Sequence, residues 1–331
     1  MGSPPVVDLP FVDEQVATAL STGLEAVESR LREAVVSEDA FITEASQHLM
    51  PGGKRFRATL VLLAAQFGAA DAPGVVPGAV VVELTHLATL YHDDVMDGAL
   101  VRRGTPSVNA RWSNTLAILV GDYLFARASR VLADLGEEAI QIQSETFSRL
   151  VRGQIKETIG PADGDDPIEH YLQVLADKTG SLIATSGQFG AMLSGAPADV
   201  VNRITRACEA IGVAWQLSDD ILDIASSSVE SGKTPGTDLK EGIRTLPVLH
   251  VLASTDPGDD KLRDLLSGDL TDDGLHAEAL ALLRANPAMD RARAELQSWA
   301  DRAQADISGL PDIPAKAAFE ALCGYVVSRT G

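Results

Sequence analysis

Two short acidic clusters, HDDVMD at residues 92–97 and SDDILD at residues 218–223, share one pattern: two adjacent aspartates, two apolar residues and a third aspartate. In an α-helix the first and third aspartates of each cluster lie one turn apart, and the second stays within about 100° of them. Each cluster therefore presents its carboxylates on one helix face. Like charges crowded this way destabilise a helix unless something neutralises them, and hard divalent cations with oxygen ligands are the obvious neutraliser. The flanks are apolar, VVVELTHLATLY before the first cluster and IGVAWQL before the second, so neither reads as a solvated charged face. Asp93, Asp94 and Asp97, with Asp219, Asp220 and Asp223, are the candidate metal ligands.

The rest of the chain supports a helical reading. Ala, Leu, Val, Glu, Arg and Gln dominate long stretches, and the two-residue alternation of half-buried strands is nearly absent. Helices are predicted over 13–36, 57–67, 77–97, 110–133, 137–159, 168–193, 198–224, 246–253 and 275–285, with two more between 289 and 329. Pro- and Gly-rich punctuation at 51–53, 72–74, 103–106, 160–167, 226–236 and 256–260 falls where loops of a bundle belong, and none of it resembles an interdomain linker. The expectation is all-α: a single domain over residues 1–331, a bundle of long helices around a central cavity. The duplicated motif would put two equivalent sites on separate helices, facing each other across that cavity.

Composition bounds the function. With 47 acidic against 27 basic residues the net charge is −20, which argues against nucleic acid or an anionic membrane as a partner. An anionic ligand would have to be held locally. Two cysteines, Cys208 and Cys323, are too few for a disulfide framework or a thiolate metal site. The opening MGSPPVVDLP lacks the basic-then-apolar order of a secretory signal. The most apolar run, ATLVLLAAQFGAA at 58–70, is shorter than the roughly 20 residues that span a bilayer. A cytoplasmic enzyme without a transmembrane segment fits these features.

Three basic elements complement the carboxylates. In GGKRFR at 52–57, Gly52 and Gly53 let the backbone approach an anion, while Lys54 and Arg57 point to one side once a helix begins. Arg102 and Arg103 follow the first acidic cluster, and planar guanidinium groups suit phosphate oxygens. Lys178-Thr179-Gly180 and Lys233-Thr234-Pro235-Gly236 each pair an ammonium with a hydroxyl. Alone, a Gly-Gly-Lys or an Arg-Arg is usually a turn or a surface pair. Two acidic triplets, separate phosphate-type sites and an apolar helical body together point to a diphosphate ester with an apolar tail.

At this point the chain resembles a known family, the trans-isoprenyl diphosphate synthases or polyprenyl synthetases. The resemblance rests on GGKRFR (52–57), THLATLYHDDVMDGALVRRGTPSVN (85–109), GDYLFARA (121–128), GQIKE (153–157), KTG (178–180), WQLSDDILD (215–223) and GKTPGTDLKEGIRTLP (232–247). These motifs cover roughly residues 50–250. The remainder matches only as helical packing. The resemblance implies an all-α homodimer that condenses isopentenyl diphosphate head-to-tail with an allylic prenyl diphosphate, using about three Mg2+ ions per active site. It further implies Asp93, Asp97 and Asp219 as direct ligands, with Asp94, Asp220 and Asp223 holding metal-bound waters or orienting those ligands. Arg102, Lys178, Lys233 and Arg244 would grip the allylic diphosphate. Gly53, Lys54, Arg57, His86 and Arg103 would hold isopentenyl diphosphate, and oxygens of Thr179 and Gln216 would lie near the allylic cation.

The implied chemistry accounts for the residue types, because a carbon–oxygen bond to diphosphate breaks readily only when fixed cations meet the accumulating negative charge. Water must also be kept from the cation until the isopentenyl double bond attacks. A lone histidine on an apolar helix is more often a satisfied core residue than a ligand, and only the family match gives His86 a substrate role. Gln154 and Glu157 gain no role from sequence. Trp215 stands where the family often has Phe, and Arg244 where Lys is usual. Ala88 and Thr89, then Leu84 and Thr85, then Val81 share the face of Asp93 and would line a pocket for the growing tail. None is aromatic, so the expected product is longer than C15 unless Phe125 or Phe147 closes the tunnel. A class I terpene cyclase and a non-catalytic subunit of a heteromeric synthase are the rival readings. The first needs no isopentenyl site, and the second usually lacks one acidic cluster or the basic set.

Overall fold

A computed structural model describes residues 13–226 and 235–330. The described chain is all-α apart from one small antiparallel hairpin. In order, the elements are α1 (Glu14–Ala34), α2 (Ala40–Gln47), α3 (Phe56–Ala64), α4 (Val75–Met96), β1 (Val101–Arg102), β2 (Thr105–Pro106), α5 (Val108–Arg111), α6 (Asn114–Leu132) and α7 (Glu137–Ile159). Then come α8 (Pro167–Leu175), a π-helical turn (Ala176–Gly180), α9 (Ser181–Leu193), α10 (Ala198–Ala225), α11 (Thr237–Lys240) and α12 (Leu246–Leu252). The last four are α13 (Asp260–Ser267), α14 (Asp273–Arg284), α15 (Ala288–Ser308) and α16 (Pro314–Ser328).

The chain divides into two compact units, one made of Met1–Phe147, Leu182–Cys208 and Gly309–Ala321, the other of Ser148–Ser181, Glu209–Ser308 and Leu322–Gly331. In the first, α1 begins at an Asp13 cap whose carboxylate accepts the Gln15 amide at 2.9 Å. It buries Val16, Leu20, Leu24, Val27 and Leu31 at helical spacing. Helix α4 is buried on most of its circumference, with Val80, Val81, Leu84, Ala88 and Tyr91 inaccessible to solvent. Glycine sets one helix crossing here: a Cβ on Gly190 of α9 would lie 2.1 Å from the backbone oxygen of Val61 in α3, so no larger residue fits.

In the second unit the core is aliphatic. Leu217, Ile221 and Ile224 of α10 pack in one cluster with Leu246 and Val251 of α12, Leu266 of α13, Leu283 of α14 and Leu296 of α15. Their spacing along α10 puts them on one face and leaves Asp219 and Asp223 on another. The apolar stripe thus decides which way the acidic motif points.

Tyr91 ties α2 to α4 within the first unit. Its ring is fully buried, its hydroxyl donates to the Ala45 oxygen at 2.7 Å, and it accepts the Leu49 amide at 3.4 Å. Tyr91→Phe keeps the ring, strands the Leu49 amide and leaves the Ala45 oxygen with only the His48 amide at 3.3 Å. The expected result is a lower urea midpoint corresponding to a loss of about 1–3 kcal/mol. A variant matching the parent curve would show that water replaces the hydroxyl.

Candidate active site

Helix α4 ends in the first acidic cluster. Asp94 is fully buried, and its Oδ1 accepts both the Nε of Arg102 at 2.7 Å and a terminal nitrogen of the same guanidinium at 2.6 Å. Its Oδ2 is buried without a hydrogen-bond partner. Burial raises the Asp94 carboxyl, and Arg102 opposes the shift. The Asn109 amide fastens the returning chain by donating to the backbone oxygens of Asp94 at 3.1 Å and Ala99 at 3.0 Å. Asp93 is half-buried and Asp97 exposed at the helix end.

The glycine-rich loop before α3 is held from below. Arg55 is buried and left-handed (φ 52°), an unfavourable conformation for a residue with a Cβ. Its Nε donates to Glu28 of α1, one terminal nitrogen donates to the Met50 oxygen at 2.7 Å, and the other lies 3.8 Å from Glu83 of α4. Glu83 also accepts the Ala58 amide at 3.0 Å, placing a carboxylate at the N-terminus of α3. Arg103, likewise left-handed (φ 53°), donates to the Leu49 oxygen at 2.5 Å. A Cβ on Gly53 would meet the Arg55 and Arg103 guanidinium groups at 2.3 and 2.9 Å, so only glycine fits between them.

These groups gather around His86. Met50, Arg55, Glu83, His86 and Arg103 line one recess of the first unit. Burial, helped by Arg57 and Arg103, pushes the His86 imidazolium well below its usual range and leaves the ring neutral at neutral pH. Burial also lowers Arg57 to about 10, with Glu83 opposing and Arg103 assisting. The Arg57 Nε is buried with no hydrogen-bond partner. Lys54 is exposed. Arg55, Arg57 and Arg103 outnumber Glu28 and Glu83, so the recess is a local cationic site in an acidic chain.

The second unit carries the other motifs. Lys178 and Thr179 lie on the π-helical turn, a distortion that changes which way consecutive side chains face. The Lys178 ammonium donates to Glu157 at 2.5 Å, and Glu157 also accepts from Gln154 at 3.1 Å. A Cβ on Gly153 of α7 would lie 2.7 Å from the Lys178 nitrogen, so this glycine admits the turn. Just before it, buried Asp177 accepts from Arg149 and Arg152, each at 3.0 Å, and those bonds lower its pKa against the cost of burial.

On α10 each aspartate has a different environment. Asp220 is buried and accepts from the Tyr171 hydroxyl and, at 3.0 Å, from the Gln216 amide. Burial nevertheless raises its carboxyl to about 7. Asp223 accepts the backbone amides of Thr237 at 3.2 Å and Asp238 at 3.1 Å, at the start of α11. Asp219 is half-exposed and takes the guanidinium of Arg329. Arg244 is exposed in the loop after α11, and Lys233 lies outside the described residues. Among the described residues no three His, Cys, Asp or Glu side chains converge as they would around one ion. The donor set still suits a hard divalent cation, because it offers carboxylate oxygens and the unpartnered Oδ2 of Asp94.

The polyprenyl synthetase family model matches residues 39–283. The chain belongs to the polyprenyl synthetase family. It is 48% identical over 321 residues to the nonaprenyl diphosphate synthase of Mycobacterium tuberculosis, covering 96% of each chain. It is 39% identical over 318 residues to that organism's dimethylallyltranstransferase, covering 96% of this chain and 97% of the relative. The crystal structure of geranylgeranyl pyrophosphate synthase from Corynebacterium glutamicum, complexed with calcium and isoprenyl diphosphate, superposes with a TM-score of 0.87 at 42% identity, covering 96% of this chain and 98% of that one. The all-α fold read from the sequence is that of these prenyl diphosphate synthases.

Sequence reasoning gave no role to several residues that hold these groups: Glu28, Arg55 and Glu83 under the glycine loop in the first unit, and Tyr171 on Asp220 and Arg329 on Asp219 in the second. Only Arg55, inside GGKRFR, and Glu83, a lone acid inside VVVELTH, carried a visible signal.

The neutral state of His86 has a measurable consequence. An imidazole that titrates near 6.5 when unfolded, and well below that when folded, takes up its proton on unfolding. Its contribution is therefore complete above about pH 6.5 and lost as pH falls, by up to about 1.4 kcal/mol per pH unit. His86→Gln is expected to flatten the decline in stability between about pH 6.5 and 5, read from urea unfolding at stepped pH. An unchanged slope would mean that the folded protein already holds that proton.

Proposed function

We propose that the protein is a magnesium-dependent prenyltransferase that condenses isopentenyl diphosphate head-to-tail with an allylic prenyl diphosphate, giving a trans-prenyl diphosphate longer than C15. The observation that carries this reading is the cationic recess at His86, built on the helix that ends in Asp93, Asp94 and Asp97. Three guanidinium groups, Arg55 buried and Arg57 and Arg103 half-buried, stand around a neutral imidazole, an arrangement that suits a diphosphate.

In this reading Lys54, Arg57 and Arg103 bind the isopentenyl diphosphate, with the Gly53 backbone beside it and His86 acting as a neutral hydrogen-bonding group. Arg102, Lys178, Lys233 and Arg244 bind the allylic diphosphate and receive the charge that builds on it as the carbon–oxygen bond breaks. Asp93, Asp97 and Asp219 would be the direct ligands of Mg2+, and Asp94, Asp220 and Asp223 would orient them. The bound metal supplies further positive charge to the leaving diphosphate. Because the Gln216 amide nitrogen donates to Asp220, its carbonyl oxygen is left for the allylic cation, as is the Thr179 hydroxyl. Neither oxygen is nucleophilic enough to trap that cation readily.

The tail pocket follows from α4. Val81, Leu84, Thr85 and Ala88 are fully buried and none is aromatic, and half-buried Thr89 satisfies its hydroxyl on the His86 oxygen at 2.8 Å. The rings of Phe125 and Phe147 meet at 4.6 Å, and Phe125 lies 5.7 Å from His92, beside the first aspartate. Helix α7 exposes Ile140, Phe147, Val151, Ile155 and Ile159 along its length, which supports a homodimer that covers them. No helix among the described residues is long and apolar enough to cross a membrane. The two buried cysteines accord with a cytoplasmic location.

The isolated protein, given Mg2+, labelled isopentenyl diphosphate and an allylic starter, is expected to incorporate label into products longer than C15. A silent protein would favour the subunit reading, and a cyclised product without label the cyclase. Asp93→Asn and Asp219→Asn are each expected to lower turnover by about 10²-fold or more. Ala88→Phe is expected to shorten the product at near-normal turnover. An unchanged product length would move the tunnel wall away from Ala88, toward Phe125 and Phe147.

A further inference from the structure

Helix α16 ends against the second acidic motif in a way that no motif in the sequence announces. Arg329, still bonded to the helix through its amide and the Tyr325 oxygen at 3.2 Å, lays its guanidinium 4.6 Å from the centre of the Trp215 indole. One terminal nitrogen donates to Oδ1 of Asp219, one turn along α10 from Trp215. The Tyr325 ring, one turn back on α16, lies 6.2 Å from the same indole. All four residues belong to the second unit. The other terminal nitrogen of Arg329 is buried with no hydrogen-bond partner.

The three aspartates of this motif differ in what moving their partners would cost. Releasing Asp220 would strand a buried hydroxyl and an amide, and releasing Asp223 would strand two backbone amides. Among the described residues Asp219 is held by one long side chain, that of Arg329, and 43% of its own side chain is exposed. A guanidinium can leave such a site by rotating about its own bonds, without unfolding its helix.

We propose that Arg329 is a latch: an internal cation that neutralises Asp219 until a divalent metal displaces it, so that metal loading frees the end of α16 from α10. The proposal rests on the reading of Asp219 as a metal ligand. The guanidinium holds Oδ1 of Asp219, and its charge opposes a divalent cation on the same carboxylate. Trp215 gives the resting cation its platform, which assigns a purpose to the indole. A part-exposed ion pair and one cation–π contact together amount to about a tenfold handicap on metal affinity, enough to be measured and small enough to be overcome.

The test is Mn2+ binding to the full-length protein, read as loss of the free-ion electron paramagnetic resonance signal, with the metal alone and with inorganic diphosphate present. Arg329→Gln is expected to tighten binding about three- to tenfold. Asp219→Asn should abolish that site in either background. A second readout touches neither partner: with Trp112→Phe and Trp299→Phe leaving Trp215 as the sole indole, Mg2+ should change its emission as the guanidinium departs. Equal or weaker Mn2+ binding by Arg329→Gln, or metal binding with no change in Trp215 emission, overturns the latch while leaving Asp219 a ligand. Mn2+ binding that survives Asp219→Asn unchanged overturns the ligand reading itself, as does an absence of Mn2+ binding under both conditions.

Discussion

The structure turns on how carboxylates are neutralised inside apolar helices. A buried carboxylate is tolerated only with a partner that meets its charge or its lone pairs, and each partner chosen here fixes a neighbouring segment. Asp94 takes Arg102 and thereby fixes the hairpin that follows α4. Glu83 takes Arg55 and the Ala58 amide in the first turn of α3, and so fixes the glycine loop. Asp177 takes Arg149 and Arg152 beside the π-turn that carries Lys178 and Thr179. The loops that bear the candidate substrate residues are thus anchored by ion pairs rather than by apolar packing alone.

The two acidic motifs share a spacing and differ in chemistry. The middle aspartate of the first is answered by a guanidinium, which stays charged at any working pH and opposes the rise that burial imposes on the carboxyl. The middle aspartate of the second is answered by a phenol and an amide, neutral donors that cannot offset burial, and its carboxyl rises to about 7. The outer aspartates diverge as well. Asp97 is exposed, whereas Asp223 is spent on the amides of α11 and so joins the second motif to the segment that follows residue 234. Equal spacing in sequence thus produces one motif whose middle carboxylate is ion-paired and one whose middle carboxylate has only neutral donors.

Much of this was legible in the sequence because it is local. Helical periodicity found the long helices nearly to the residue: α7 runs over the predicted 137–159, and α10 passes the predicted end by one residue. It missed α2, α11 and α13, which are too short for a repeating pattern, and the two-residue strands of the hairpin. It read 168–193 as one helix, whereas the π-turn at 176–180 splits that span. That distortion answers to Gly153 on a different helix, which no window over 168–193 contains. The two aspartate clusters, Lys178 and the glycine loop were visible as motifs. Glu28, Tyr171 and Arg329 were not, because each acts on a residue far away in the chain, and a single charged or phenolic side chain at such a distance leaves no local trace.

The same distinction bears on product length. The relatives run from a dimethylallyltranstransferase at 39% identity to a nonaprenyl diphosphate synthase at 48%, so overall similarity does not set the length of the tail. In the proposed reading what sets it is the cross-section of the space below Asp93, where α4 contributes small or aliphatic residues. The polar members of that wall are not idle. Thr85 satisfies its hydroxyl on the Val81 oxygen at 2.8 Å and accepts from Gln143 of α7 at 2.9 Å, while the Oε1 of Gln143 is buried without a partner. A hydrocarbon tail passing this point would lie against an amide oxygen it cannot satisfy. The unfavourable contact grows with each isoprene unit that must pass it, whereas an aromatic plug would stop growth outright.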